Sequence, residues 1–101
     1  MIVGFGSEET RRVFRGQASR HLPPDIQNVA RRKLRVLDAA VRLSDLRSPP
    51  GNRLEALKGS RAGQHSIRIN DQWRICFVWR EAAEKDDVGG SADAVEIVDY
   101  H

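Results

Sequence analysis

Residues 64–80 read QHSIRINDQWRICFVWR, and along that run large apolar side chains and polar ones take turns. A period of two places successive side chains on opposite faces of an extended chain. The run is therefore unsuited to a helix and specifies two half-buried strands. His65, Ile67, Ile69, Trp73, Ile75, Phe77 and Trp79 form the apolar set, while Gln64, Ser66, Arg68, Gln72, Arg74 and Arg80 form the polar one. Asn70 and Asp71, both tolerant of positive φ, mark the turn between the strands.

The same periodicity fixes the register. A two-residue loop would set Ile69 opposite Gln72 and mix the two faces. A three-residue loop, 70–72, pairs Ile69 with Trp73, Ile67 with Ile75 and His65 with Phe77, so this loop is expected. It also sets Arg68 directly opposite Arg74, away from the apolar core. Like charges so placed cost roughly 0.2–1 kcal/mol, and a phosphate between two guanidiniums would turn that repulsion into charge-assisted hydrogen bonding. The bland alternative is that both arginines splay into water or pair with acids such as Glu96. His65, on the core-facing parity, is expected to be a packed structural residue.

Upstream, residues 2–5 predict a short strand. Ser7 predicts an N-cap followed by Glu8 and Glu9 in the first turn of a short helix ending at Gly16. Asp25 is expected to cap a longer helix reaching about Leu43. Its Ile26, Ala30, Leu34, Leu37 and Val41 follow the i, i+4, i+7 spacing of one buried face, with arginines opposite. Residues 44–63 are turn-rich and carry the basic groups Arg53, Lys58 and Arg61 around an apolar nub of Leu54, Ala56 and Leu57. Residues 81–93 read as a long acidic loop, the part of the chain most prone to disorder. Residues 94–100 read as a further strand of the same sheet. The expected class is α+β, with two N-terminal helices packed on a small antiparallel sheet in the order β-α-α-β-β-β, and 1–101 forming a single domain.

Composition narrows the function. Net charge is +3, but five of the 14 acids sit in 81–93, and the other 88 residues carry +7; of the 17 bases, 14 are arginines. Such a body favours a nucleic-acid partner. One cysteine, Cys76, excludes a disulfide framework and a thiolate zinc site, and is read as a small buried residue. The histidines have no metal-ligand spacing, and no glycine-rich phosphate loop precedes a helix, so neither metal nor cofactor is expected. With no apolar run near membrane-spanning length and no signal-peptide pattern, the expected setting is cytoplasmic and away from membranes. Asp99, Tyr100 and His101 follow the last strand and offer a carboxylate, a phenol and an imidazole, groups suited to proton transfer or to gripping a nucleotide.

The element order resembles the RelE-like bacterial toxins. Residues 46–79, LRSPPGNRLEALKGSRAGQHSIRINDQWRICFVW, followed by VEIVDYH at 95–101, resemble the HigB branch in particular. That resemblance implies a ribosome-dependent mRNA endonuclease neutralised by a HigA-like helix-turn-helix antitoxin, with operator DNA contacted only through the antitoxin. It matches the family's terminal Asp-Tyr-His to Asp99, Tyr100 and His101, its arginine after the hairpin turn to Arg74, and the basic position before the turn to Arg68. Glu55 stands where one type of member carries a histidine, a departure that leaves this loop's part in catalysis open. The long acidic 81–93 is a second departure.

In such a reaction Arg74, helped by Arg68 and by Lys58 or Arg61, would stabilise charge on the phosphate. His101 would move protons, with Asp99 orienting it or sharing that task, and Tyr100 would stack on a base. The competing class is a non-catalytic nucleic-acid- or protein-binding module of the same fold. A DNA-binding repressor is disfavoured, because an eight-residue connection containing prolines separates the two helices.

Overall fold

The computed structural model describes residues 1–82 and 89–100. Two helices, α1 (Glu8–Phe14) and α2 (Pro24–Ala39), precede four strands: β1 (Glu55–Ala56), β2 (His65–Arg68), β3 (Trp73–Arg80) and β4 (Ser91–Asp99). The strands form one antiparallel sheet in the order β1-β2-β3-β4. Short 3-10 turns at Leu43–Arg47, Pro50–Asn52 and Gly59–Arg61 shape the connection between helices and sheet.

The hairpin has the register that alternation demands. His65 pairs with Phe77, Ile67 with Ile75 and Arg68 with Arg74. The Ile69 amide donates to the Trp73 carbonyl at 2.9 Å, closing the three-residue loop. Asn70 Oδ1 accepts the amides of Gln72 and Trp73, which holds the turn by side chain rather than by glycine. Ile67, Ile69, Ile75 and Phe77 enter one buried cluster with Ile26, Ala30, Leu34 and Leu37 of α2 and with Ala92, Val95 and Ile97 of β4. His65 stacks on Phe77 with ring centroids 6.2 Å apart.

Helix α1 starts as its sequence requires, with Ser7 Oγ accepting the Thr10 amide, and ends where Gly16 takes a positive φ. Thr10 Oγ1 accepts the Ile97 amide and ties the helix to β4.

Several expectations need correction. Helix α2 begins at Pro24, with Asp25 in its first turn rather than at its cap. It stops at Ala39, because Asp45 Oδ2 accepts the Val41 and Arg42 amides and starts a 3-10 turn instead, so Val41 is exposed. Those backbone hydrogen bonds, from Arg42 first and then Val41, hold the Asp45 carboxyl below its ordinary range.

Residues 2–5 form two isolated parallel bridges to β4, Ile2 with Ala92 and Phe5 with Val95, rather than a strand. Gly4 weakens the stretch as a strand but allows the approach, since a Cβ there would collide with Asp93. The first strand of the sheet proper is instead the short β1, giving α-α-β-β-β-β. Finally, β4 begins at Ser91, inside the segment read as an acidic loop. A bulge opposite Phe77, with Ala94 at φ 51°, shifts the register, so that Ala92, Val95 and Ile97 all face the core despite their mixed parity. Residues 83–88 of that segment, and with them its expected disorder, lie outside the described residues.

Candidate nucleic-acid site on the outer face of the sheet

The face of the sheet turned away from the helices carries Ser66, Arg68, Arg74 and Cys76 from the hairpin. Except for Arg68, these side chains are buried. A buried polar group must find partners or lose stability, and Arg74 finds them on three segments. Its Nε donates to Ser66 Oγ at 2.8 Å, and its Nη2 donates to the Arg53 carbonyl at 2.6 Å. Its Nη1 lies 3.7 Å from Glu55 Oε1, beyond hydrogen-bond reach, with half of the Glu55 side chain exposed. Its Cζ sits 5.5 Å from the centroid of the Tyr100 ring. Two hydrogen bonds, from Nε and Nη2, fix the guanidinium plane, while Nη1 faces the Glu55 carboxylate.

These partners follow from local geometry. Glu55 pairs with Ser66 in the β1–β2 ladder, so both stand on the Arg74 face. Arg53 ends the Pro50–Asn52 turn in the left-handed conformation, φ 46° and ψ 57°. That conformation costs a non-glycine residue about 1–2 kcal/mol, and its carbonyl is the one Arg74 grips. Tyr100 follows Val98 and Asp99, which pair with Arg74 and Trp73, so Tyr100 returns to the arginine side. Its amide donates to the Gln72 carbonyl at 2.6 Å.

Arg68 lies opposite Arg74 but makes its own ion pair with Asp71, in the turn. A side-chain hydrogen bond from Arg68, then the charges of Arg68 and Arg53, lower the Asp71 pKa. The two arginines therefore share a face, each with its own carboxylate; neither pairs with Glu96. Arg61 donates to Gln64 Oε1 at 3.1 Å and lies close enough to Cys76 to act on its thiol. Burial raises the Cys76 pKa more than that charge lowers it, so the thiol is a packing residue. The Lys58 side chain is exposed and makes no hydrogen bond or ion pair among the described residues. The structure does not join it to Arg74.

Of the C-terminal candidates, Asp99 and Tyr100 separate. Tyr100 reaches Arg74. Asp99 stands on the opposite parity, across from Trp73, where its Oδ2 accepts from Gln72 Nε2 at 3.1 Å. Strand pairing continues through Asp99 and keeps the alternation, so Asp99 and Tyr100 stand on opposite faces. His101 lies outside the described residues.

Sequence reasoning missed two contributors: the Ser66 hydroxyl and the Arg53 carbonyl. The derived register already placed Ser66 on the arginine face. Nothing in the sequence marked the Arg53 carbonyl. Lys33 Nζ donates to Asn52 Oδ1, and Asn52 is fully buried. Among the described residues, no group of three or more His, Cys, Asp and Glu side chains could hold a metal ion.

Residues 4–101 match the model of the HigB-like toxins, described as RelE-like toxin of type II toxin-antitoxin system HigB. The chain belongs to the HigB-like toxin family. It is 53% identical over 60 residues to Toxin HigB-1 of Vibrio cholerae serotype O1, covering 59% of this chain and 63% of that one. An uncharacterized protein of Haemophilus influenzae is 37% identical over 62 residues, covering 61% of each. The chain thus spans somewhat under two thirds of the length of these two relatives. For a HigB-like toxin, an α+β frame with one immobilised arginine on the outer sheet face is the arrangement to be explained.

Proposed function

We propose that this toxin is a metal-independent endoribonuclease that cuts mRNA on the ribosome and so inhibits translation in the cytoplasm. A HigA-like helix-turn-helix antitoxin neutralises it, and operator DNA is reached only through that antitoxin. The observation that carries this reading is the buried guanidinium of Arg74, locked by Ser66 and the Arg53 carbonyl with one edge turned to Glu55. A cation held in place before substrate arrives stabilises developing phosphate charge without reorganising.

In the reaction, the ribose 2′-oxygen attacks the adjacent phosphorus and the bond to the 5′-oxygen breaks. The products are a 2′,3′-cyclic phosphate and a free 5′-hydroxyl. The 2′-hydroxyl loses a proton to a base, and the leaving oxygen gains one from an acid, so protons balance without metal or added water. Arg74 neutralises the five-coordinate phosphorus, with the phosphate taking the place of Glu55 on the Nη1 edge. Arg68 adds charge across the hairpin, and Arg61 adds charge further along the same face. His101 carries out proton transfer. Asp99, through Gln72, fixes the strand end from which His101 extends. Tyr100, already against Arg74, stacks on a base, since a phenol with pKa near 10 is a poor base at neutral pH.

Single-turnover cleavage of ribosome-bound message tests this. Arg74→Ala and His101→Ala should each slow cleavage by about 100-fold or more, and near-normal rates for both would remove the assignment. The second reading, a non-catalytic binding module, draws on the fact that both arginines already have carboxylate partners. It requires that growth arrest on expression, if seen, survive His101→Ala.

A further inference from the structure

Arg74 is held by a carbonyl that is itself held. The carbonyl belongs to Arg53, whose φ of 46° and ψ of 57° put a non-glycine residue in the left-handed region. Such a conformation persists only where its surroundings over-determine it, and the residue before Arg53 supplies that constraint. Asn52 is fully buried, and its amide nitrogen donates to the carbonyls of Leu46 and Ser48, each at 3.2 Å. Its backbone N–H donates to the Pro49 carbonyl at 2.9 Å, and the Arg53 N–H donates to the Pro50 carbonyl at 3.1 Å, which closes the turn.

The oxygen of the Asn52 amide is committed as well. It accepts from the ammonium of Lys33, a half-buried residue of α2. A buried amide with both its donors and its acceptor engaged has one orientation. Because α2 also supplies Ile26, Ala30, Leu34 and Leu37 to the core, the turn is tied to the packed body of the protein. The chain leaving this turn meets Arg74 twice. The Arg53 carbonyl accepts from Nη2 at 2.6 Å, and Glu55, two residues on, sets Oε1 3.7 Å from Nη1.

We propose that Asn52, oriented by Lys33, is a positioning residue for Arg74: it fixes the Arg53 carbonyl and thereby the plane in which the guanidinium meets the phosphate. The inference rests on the nuclease reading and deepens it. A misplacement of about 1 Å in a group that stabilises a transition state can slow a reaction about 100-fold. An Asn52 that served stability alone would affect cleavage equally whether or not Arg74 were present. A positioning Asn52 acts only through Arg74.

The test is a double-mutant cycle on the full chain, read in single-turnover cleavage of ribosome-bound message. Varying the toxin concentration separates the maximal rate from the half-saturating concentration. Asn52→Ala should lower the maximal rate about tenfold and leave the half-saturating concentration unchanged, since no group facing the RNA is removed. In an Arg74→Ala background the same substitution should change the rate by less than about twofold, because no guanidinium is left to place. Lys33→Met should act in the same direction with a smaller loss, and Lys33→Arg, which keeps a cationic donor, should recover the rate. If thermal melting shows Asn52→Ala unfolded at the assay temperature, Lys33→Met carries the same cycle and is judged by the same outcomes. A wild-type maximal rate in the folded variant, or an equal loss with and without Arg74, would overturn the positioning role and leave the nuclease reading standing. A wild-type rate in Arg74→Ala would remove Arg74 from the reaction, and this inference with it.

Discussion

The two faces of this sheet are buried by different means. On the core side, Ile67, Ile75 and Phe77 meet α2 through side chains that need only fit, because apolar burial is non-directional. On the outer side, Ser66 and Arg74 are also buried, but each polar atom needs a particular partner at a particular distance, and a turn in left-handed conformation supplies one of them. The first face stabilises the fold. The second holds a charge still, which is the property a reaction at phosphate requires.

The sharpest way to break this comparison is Phe77→Ala. Loss of a fully buried aromatic should cost about 3–5 kcal/mol, read from the denaturation midpoint, and so take much of a small domain's stability. A cost no larger than that of a substitution on the outer face would erase the distinction.

Ser66→Ala should do the reverse. It leaves Arg74 Nε buried without its acceptor, for about 1 kcal/mol of stability. It should nevertheless lower single-turnover cleavage clearly, because the guanidinium plane loses one of its two anchors. Wild-type cleavage in a folded Ser66→Ala chain would show that the anchoring is incidental.

The smallest effect is acid sensitivity. Asp71, held low chiefly by its hydrogen bond from Arg68, and Asp93, held low by the Ala94 amide and then by Arg80, both have folded-state pKa values below 3.8. Their contribution is therefore fully present above the ordinary aspartate range and is lost as pH falls through the depressed values. Thermal midpoints of Asp71→Asn and Asp93→Asn should fall less steeply on acidification than wild type, and parallel curves would contradict the assignment.

Much of this was legible in the sequence. Alternation over 64–80 determined two strands, a three-residue turn and the facing of Arg68 and Arg74, because a period of two admits one register that keeps the faces unmixed. Ser7 and Gly16 bounded α1, and the spacing of Ile26, Ala30, Leu34 and Leu37 defined the buried face of α2. Where local patterns competed with distant partners, the sequence misled. The start of β4 was hidden by a bulge at Ala94 that breaks parity, and the end of α2 was set by the carboxylate of Asp45, which lies outside the helix.

The sequence by itself determined which residues alternate, which face is apolar and which family the chain resembles, since these depend on spacing along one chain. Only the tertiary structure decided that Arg74 is clasped by Ser66 and the Arg53 carbonyl, and that Tyr100 lies over it while Asp99 turns aside. Those relations join segments 8 to 26 residues apart, and a hydrogen bond between distant segments exists only once packing has fixed both ends to within a fraction of an ångström.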